Sequence, residues 1–373
     1  MTAFLLICSG LYALFTVTLW VVWLRMPIRD DTMYRSDGPM ISVIVPVRNE
    51  ADSIFQLLTD LNQQSYRQFE VIIADDASTD NTAAIVQSYT KTATYPLRLL
   101  LLKDERTASP KKRAIAQSIS LAEGKLIVTT DGDCRVAKNW LAAIADFYGK
   151  TGARLISGPV TFTSERSVFD AVQTVEFASL IGTGACTMAI KFPTMCNGAN
   201  LCYEKDAFTE VGGFVGVDHL ASGDDEFLMH KIAVQFPDGV QFLKSAEAIV
   251  RTKSHRTIRG FYNQRRRWAS KWRAYQSYWP SALAVFIFLS NAAPVIGIAG
   301  WLGNYWSGAV TLLMVGLKVI PEFVFLLQVL VFLQKRKMVV AIPFTQLIYP
   351  FYVLFFGLAA QSTGYTWKGR RLK

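Results

Sequence analysis

Leu126-Ile127-Val128-Thr129-Thr130-Asp131-Gly132-Asp133 sets a run of apolar and β-branched residues directly against two carboxylates separated by one glycine. The run has the length and composition of a buried strand. A buried strand that ends on a polar cluster is what an open α/β sheet presents at its carboxyl edge, where ligands gather. The arrangement recurs upstream: Ile41-Ser42-Val43-Ile44-Val45 leads into Pro46-Val47-Arg48-Asn49-Glu50, and Phe69 to Ala74 leads into Asp75-Asp76-Ala77-Ser78-Thr79-Asp80-Asn81. Leu97 to Leu102 and Leu155 to Ser157 read as further strands, with helix-like stretches over 51–62, 81–90, 111–122 and 138–148 between them. Strand-helix alternation predicts an α/β domain over residues 40–250, with a mixed, mostly parallel sheet flanked by helices.

On either side of that domain the chain changes character. It is 373 residues long, 51% hydrophobic and only 18% charged, and the charges are unevenly placed. Residues 1–24 carry none, 281–334 carry only Lys318 and Glu322, and 338–360 carry none. At about 1.5 Å of rise per residue the stretch 1–24 is long enough to cross a bilayer, and it predicts a retained anchor. Ser281 to Gly303 and Gly308 to Leu333 predict a hairpin of two more spans. Residues 338–360, interrupted by Pro343, Pro350 and Gly357, lie between the basic stretches Lys335-Arg336-Lys337 and Lys368 to Lys373. The positive-inside bias favours both flanks on the cytoplasmic side, which a re-entrant or broken helix satisfies and a single crossing does not. The expected division is therefore an anchor (1–24), an α/β domain (40–250), an interfacial segment (251–280), transmembrane or re-entrant helices (281–360) and a basic tail (361–373). Five widely spaced cysteines with no C-x-x-C pair argue against a zinc cage or a stapled fold.

The acidic clusters are where chemistry is expected. Asp131 and Asp133 can share a hard divalent cation, magnesium or manganese, that takes its remaining ligands from phosphates and water. An isolated D-x-D is also an ordinary solvated loop. Asp75 and Asp76 follow a buried strand directly, whereas Ser78 to Asn81 read equally well as caps for the next helix. Asp224-Asp225-Glu226 runs into an apolar helical start, so its carboxylates either cap that helix or supply a general base. Lys318 and Glu322 stand four apart on one helical face inside a span: a structural pair facing neighbouring helices, or the lining of an acceptor's path.

Arg251 to Arg273 holds nine Lys or Arg residues and no acid, interleaved with Phe261, Tyr262, Trp268 and Trp272 and followed by Tyr275, Tyr278 and Trp279. Directly before a span, this composition describes an amphipathic helix at a lipid surface rather than a nucleic-acid patch. The net charge of +10 rests largely on such segments.

Taken together, these residues resemble a membrane-bound family 2 glycosyltransferase with a GT-A fold. The resemblance runs from Met40 to Trp268 by motif: the opening strand to Glu50, the acidic turn at Asp75-Asp76, the D-x-D of Asp131 and Asp133, the E-D-x-x-L approximated by Asp224-Asp225-Glu226-Phe227-Leu228, and Q-x-x-R-W matched in full by Gln264 to Trp268. It implies nucleotide-sugar contacts from Pro46, Glu50, Asp75, Asp76, Lys111, Asp131 and Arg267, and a metal on Asp133 with Asp131. It implies acceptor contacts from Asn200, Gln264 and Trp268, and a catalytic base at Asp225, with Asp224 as the other candidate. Pro110 stands where the family usually has glycine, and Asp224 where it has glutamate.

The implied activity is inverting transfer of a sugar from a nucleotide diphosphate, read as UDP, to a membrane lipid or lipid-linked acceptor. The terminal Trp367-Lys368-Gly369-Arg370 resembles the tail of lipid-glycosylating relatives. A processive synthase extending a growing glycan is the alternative, and a nucleotide-sugar-binding scaffold without turnover is a third. Because nucleotide sugars are cytosolic, the reading places the α/β domain on the cytoplasmic side of a membrane such as the bacterial inner membrane. Its expected partners are the donor, the acceptor and the bilayer, with no nucleic acid.

Overall fold

The computed structural model describes residues 1–29, 37–103, 105, 107–163, 165–269, 279–359, 365–367 and 370–372. In chain order the elements are α1 (Thr2–Arg25), β1 (Ile41–Val47), α2 (Ile54–Asn62), β2 (Phe69–Asp75), α3 (Thr82–Tyr89), β3 (Leu97–Leu101), α4 (Pro110–Leu121), β4 (Leu126–Thr129), α5 (Trp140–Thr151), β5 (Leu155–Ser157) and β6 (Val160–Phe162). There follow α6 (Val168–Ala189), β7 (Leu201–Glu204), α7 (Lys205–Glu210), α8 (Glu226–Gln235), β8 (Val240–Phe242), β9 (Val250–Thr252), α9 (Ile258–Ala269), α10 (Trp279–Leu302), α11 (Gly308–Phe332), α12 (Ile342–Ala359), β10 (Tyr365–Trp367) and β11 (Arg370–Leu372). They divide into an α/β unit (27–164, 187–253 and 366–373) and a helical unit (1–26, 165–186 and 254–365).

In the α/β unit a seven-stranded sheet runs β3-β2-β1-β4-β7-β5-β8. β1 lies parallel to both β2 and β4, and β7 is antiparallel to β4 and β5. The first five strands match the expected apolar runs. β2 is buried along its whole length and β1 at every position but Pro46, as strands covered on both faces require. Pro46 sits in this central strand without breaking it, because β1 pairs with β4 only as far as Ile44 and Thr129. Pro46, two residues on from Ile44, whose carbonyl accepts the Thr130 N–H, faces β4, so the missing N–H falls beyond that ladder while Pro46 still pairs with Ala74 of β2. β6 to β9, each three or four residues long, carry too little pattern to be read from sequence; β7, antiparallel to both its neighbours, makes the seven-stranded sheet mixed, and β6 pairs with β9 in a separate two-stranded sheet.

Four helices among the described residues are long and apolar enough to cross a membrane: Thr2–Arg25, Ser281–Leu302, Gly308–Phe332 and Arg336–Gly357. The last opens as a 3₁₀ turn over Arg336–Ala341 and continues as α12 with Pro350 inside it. By length and composition this segment could cross a membrane. In the helical unit α1 packs along α11 through Trp23 and Phe332, whose ring centroids are 5.4 Å apart, and against α10 through Phe15 and Phe286. Residues 165–186, inside the expected 40–250 domain, group with these helices. Gly182 explains how, since a Cβ there would meet Val329 Cγ2 at 2.7 Å and Phe325 Cζ at 2.8 Å, so only glycine permits that approach of α6 to α11.

Candidate active site

Within the α/β unit the polar groups at the carboxyl edge are tied to one another. Asn49 has φ 53° and Ala77 φ 53°, left-handed values that turn the β1 and β2 exits sharply. The two exits are then joined: Asn49 N–H donates to Ser78 Oγ at 2.9 Å, Thr79 N–H to Asn49 Oδ1 at 2.8 Å and Ala51 N–H to Asp80 Oδ2 at 3.1 Å. Asp80 Oδ1 also accepts from the N–H and hydroxyl of Thr82. Burial opposes its ionised form, but these hydrogen bonds outweigh it and hold the carboxyl below the usual range. Ser78 to Asn81 thus follow the capping and turn reading.

Asp75 and Asp76 are buried. Asp75 Oδ1 accepts the Ser78 N–H at 2.8 Å, and Asp76 Oδ1 pairs with Arg113 Nη2 at 2.8 Å. Arg48 Nη1 approaches Asp76 Oδ2 at 3.9 Å. Gly132 presses on the same loops: a Cβ there would meet Val47 Cγ1 at 2.8 Å and Glu50 Cγ at 3.1 Å. Asp133 Oδ2 accepts from Thr252 Oγ1 at 3.3 Å. Next to it, burial and the neighbouring aspartates push the Cys134 thiol well up, so it is inert rather than nucleophilic.

Lys111 is the hub. Its ammonium lies 2.8 Å from Asp131 Oδ1 and 3.2 Å from Asp224 Oδ2. Burial disfavours the charged form, yet Asp131 and Asp224 more than compensate and raise the Lys111 pKa above the usual lysine value. One cation therefore joins the D-x-D turn after β4 to the acidic turn before α8, 93 residues later in the sequence by subtraction of 131 from 224. Asp225 is the N-cap of α8: Oδ1 accepts the Glu226 N–H at 2.8 Å, and Oδ2 the Gly198 N–H at 2.9 Å. The capping reading of the triplet therefore falls on Asp225. Gly198 is itself fixed by Thr129 Oγ1, which donates to its carbonyl at 2.9 Å.

Asn200 takes a different place from the acceptor contact that the motif implied. It is buried, its Oδ1 accepts from Trp140 Nε1 at 3.0 Å, and its amide donates to the carbonyls of Pro159 and Ala248, each at 2.8 Å. With its amide committed inside the unit, it is a bracket for the turn carrying Gly198.

Gln264, Arg267 and Trp268 lie on α9, in the helical unit. The residue that organises this helix is Arg265, which the motif leaves unspecified. It is 4% exposed and pairs with Glu176 of α6, with Nε–Oε1 at 2.9 Å and a second contact from Nη2 to Oε2. Its guanidinium lies 4.6 Å from the Phe261 ring centroid and 4.3 Å from that of Trp268. Tyr352 of α12 donates to Glu176 at 3.1 Å. The basic helix expected to face a lipid surface thus turns one of its arginines inward. Trp272, Tyr275 and Tyr278 lie outside the described residues, as does the side chain of Trp279.

The sequence held one unused signal. Lys111-Lys112-Arg113 puts three cations in the first turn of α4, where the helix dipole disfavours positive charge. Such a cluster needs acids or carbonyls around it, and each of the three has them.

Residues 42–203 match the family model described as Glycosyl transferase family 2, and residues 126–361 match Glycosyl transferase family group 2. Glycosyltransferase AglE of Haloferax volcanii is 29% identical over 50% of this chain and 59% of its own length. Poly-beta-1,6-N-acetyl-D-glucosamine synthase of Staphylococcus epidermidis is 24% identical over 61% of this chain and 53% of its own. The chain thus spans between half and three-fifths of these curated relatives. Among solved structures, mannosyltransferase PcManGT from Pyrobaculum calidifontis, in complex with GDP-Man and Mn2+, superposes with a TM-score of 0.55 at 19% identity, covering 93% of this chain and 99% of that one. That likeness shows the fold, and the fold is of the GT-A type.

Proposed function

The chain belongs to the family 2 glycosyltransferases, and on that premise we propose that it moves a sugar, with inversion, from a nucleoside diphosphate donor, read as UDP-linked, to a hydroxyl of a membrane lipid or lipid-linked glycan. The observation that carries this reading is the bridge through Lys111, which ties the donor-side carboxylate Asp131 to the turn bearing Asp224 and Asp225.

In this reading Asp225 takes the proton of the acceptor hydroxyl as that oxygen attacks the anomeric carbon, and the bond to the diphosphate breaks on the opposite face. The N–H groups of Gly198 and Glu226 aim the carboxylate and keep it from rotating. Asp76, through Arg113 and Arg48, and Asp75, through the Ser78 N–H, shape the nucleoside wall, with Pro46 and Glu50 beside it. Lys111 supplies positive charge toward the diphosphate. For Arg267 on the diphosphate, and Gln264 and Trp268 on the acceptor, the support is the motif alone.

Asp131 and Asp133 suit a magnesium or manganese ion. Their oxygens are hard donors on one tight turn. That is the donor set expected where phosphates and water complete the shell. When bound, such an ion stabilises leaving-group charge. The Pyrobaculum neighbour, in complex with GDP-Man and Mn2+, supports this choice. We read the α/β unit as cytoplasmic, since the two crossings α10 and α11 would return Lys335-Arg336-Lys337 to its side, as the positive-inside bias favours.

The test is a panel of UDP- and GDP-sugars offered to membranes containing the protein, with and without manganese, followed by mass spectrometry of the lipid extract. Asp225→Asn is expected to lower transfer by about 100-fold or more while nucleotide binding persists. Wild-type turnover in that variant would remove Asp225 from the mechanism. The second reading, a processive synthase, draws on the complete Q-x-x-R-W and on the similarity to a polysaccharide synthase. A ladder of products would establish it; a single added sugar would exclude it.

A further inference from the structure

Residues 211–223 connect α7 to the acidic turn before α8 as a succession of turns. Gly212, Gly213, Gly216 and Gly223 have φ of 69°, 50°, 85° and 80°, so the backbone coils through conformations that leave its carbonyls outside any helix or strand ladder. Two lysines collect those carbonyls. From α8, Lys231 Nζ donates to Val211 O at 3.3 Å, Gly213 O at 2.8 Å and Val215 O at 2.7 Å. From the first turn of α4, Lys112 Nζ donates to Val217 O at 2.5 Å, Leu220 O at 2.8 Å and Ser222 O at 3.0 Å. An ammonium has three donors, and each of these two finds three acceptors. Lys112 is buried, and its charge also lies 5.5 Å from the ring centroid of Phe227 in α8.

The adjacency of Lys112 to Lys111 gives this cage its meaning. Lys111 grips Asp131 and Asp224, and the next residue of the same helical turn grips the chain that ends two residues before Asp224. We propose that Lys112 and Lys231 are positioning residues: two ammonium-carbonyl cages fasten the 211–223 loop, and through Lys112 the placement of Asp224-Asp225 is set by the same turn of α4 that reads the donor side. The proposal deepens the reading of Asp225 as base and rests on it for the kinetic arm alone. Charge-assisted bonds of this kind are strong enough to order a loop that glycines would otherwise leave loose.

Lys112→Met and Lys231→Met keep the chain length and remove the donors. Hydrogen exchange on the full-length protein in detergent is expected to show amides of 211–223 exchanging about tenfold faster or more in Lys112→Met, with β1, β2 and β4 still protected. UDP affinity by calorimetry should stay within about twofold while kcat for transfer falls about tenfold or more, a split that general destabilisation does not produce. Should Lys112→Met not fold, Lys231→Met reads out the same loop. Unchanged exchange over 211–223, or faster exchange spread equally over the sheet, overturns the proposal. If the wild-type protein transfers no sugar, the proposed function fails, and the exchange result still decides whether the lysines fasten the loop.

Discussion

Lys112 and Lys318 are buried to the same degree, each 2% exposed, in two different kinds of chain. Lys112 meets three backbone carbonyls of a turn-rich loop. Lys318, inside the apolar helix α11, meets the carboxylate of Glu322 at 3.1 and 3.0 Å, and its ammonium lies 4.8 Å from the Tyr12 ring centroid. Glu322 in turn accepts from Tyr12 Oη at 2.7 Å and Gln346 Nε2 at 3.2 Å. The difference follows from where free carbonyls exist. A helix uses its own carbonyls four residues on, so a cation buried among helices needs an acid, whereas an irregular loop can hold one with backbone alone. The inward, fully partnered geometry also places Lys318 and Glu322 on the structural side of the two readings their spacing allowed.

The contrast is broken most directly at Glu322. Glu322→Gln leaves the Lys318 ammonium buried without its carboxylate, at an expected cost of about 3–5 kcal/mol to unfolding in detergent. The double variant Lys318→Met/Glu322→Gln should recover much of that loss, and a single variant costing under about 1 kcal/mol would end the claim that helices require the acid. Tyr12→Phe, which removes only one donor from Glu322, is expected to cost about 1.5 kcal/mol by the same measurement.

The smallest effect concerns His255, just before α9. Burial, helped by Arg265 and Arg267 and opposed by the Gln264 amide, holds its imidazole below the ordinary histidine value. The folded chain then binds fewer protons than the unfolded one, so this stabilisation is complete above about pH 6.5 and is lost as pH falls through the lower, folded value. The thermal midpoint of the wild type should therefore drop between about pH 7.5 and 5.5, and His255→Gln should flatten that drop. An equal slope in both proteins would show that the helical unit does not exclude this charge.

The same contrast explains what could be read from the sequence. Glu322 follows Lys318 by one helical turn, so their pairing is legible as a spacing. Lys112 and its carbonyls are 105 to 110 residues apart, and carbonyls carry no side-chain signature. β1, β2 and β4 were legible because a strand buried on both faces must be continuously apolar. The acidic residues after them were legible because ligands collect there. Asn200 misled because an amide serves equally as a ligand contact or as an internal bracket, and Trp140, 60 residues away, decides between them. Arg265 was hidden among the eight other Lys and Arg residues of its segment, and Glu176, 89 residues upstream, singles it out.

Gly132 has a consequence for which parts of the α/β unit tolerate exchange. With no room for even one carbon atom between the D-x-D turn and the exit of β1, this edge is a fixed floor on which substitutions propagate as clashes. The 211–223 loop is a detachable rim by comparison, tethered by two side chains rooted in neighbouring helices. A graft of that segment from a related enzyme that leaves Lys112 and Lys231 in place exchanges the rim without disturbing the floor.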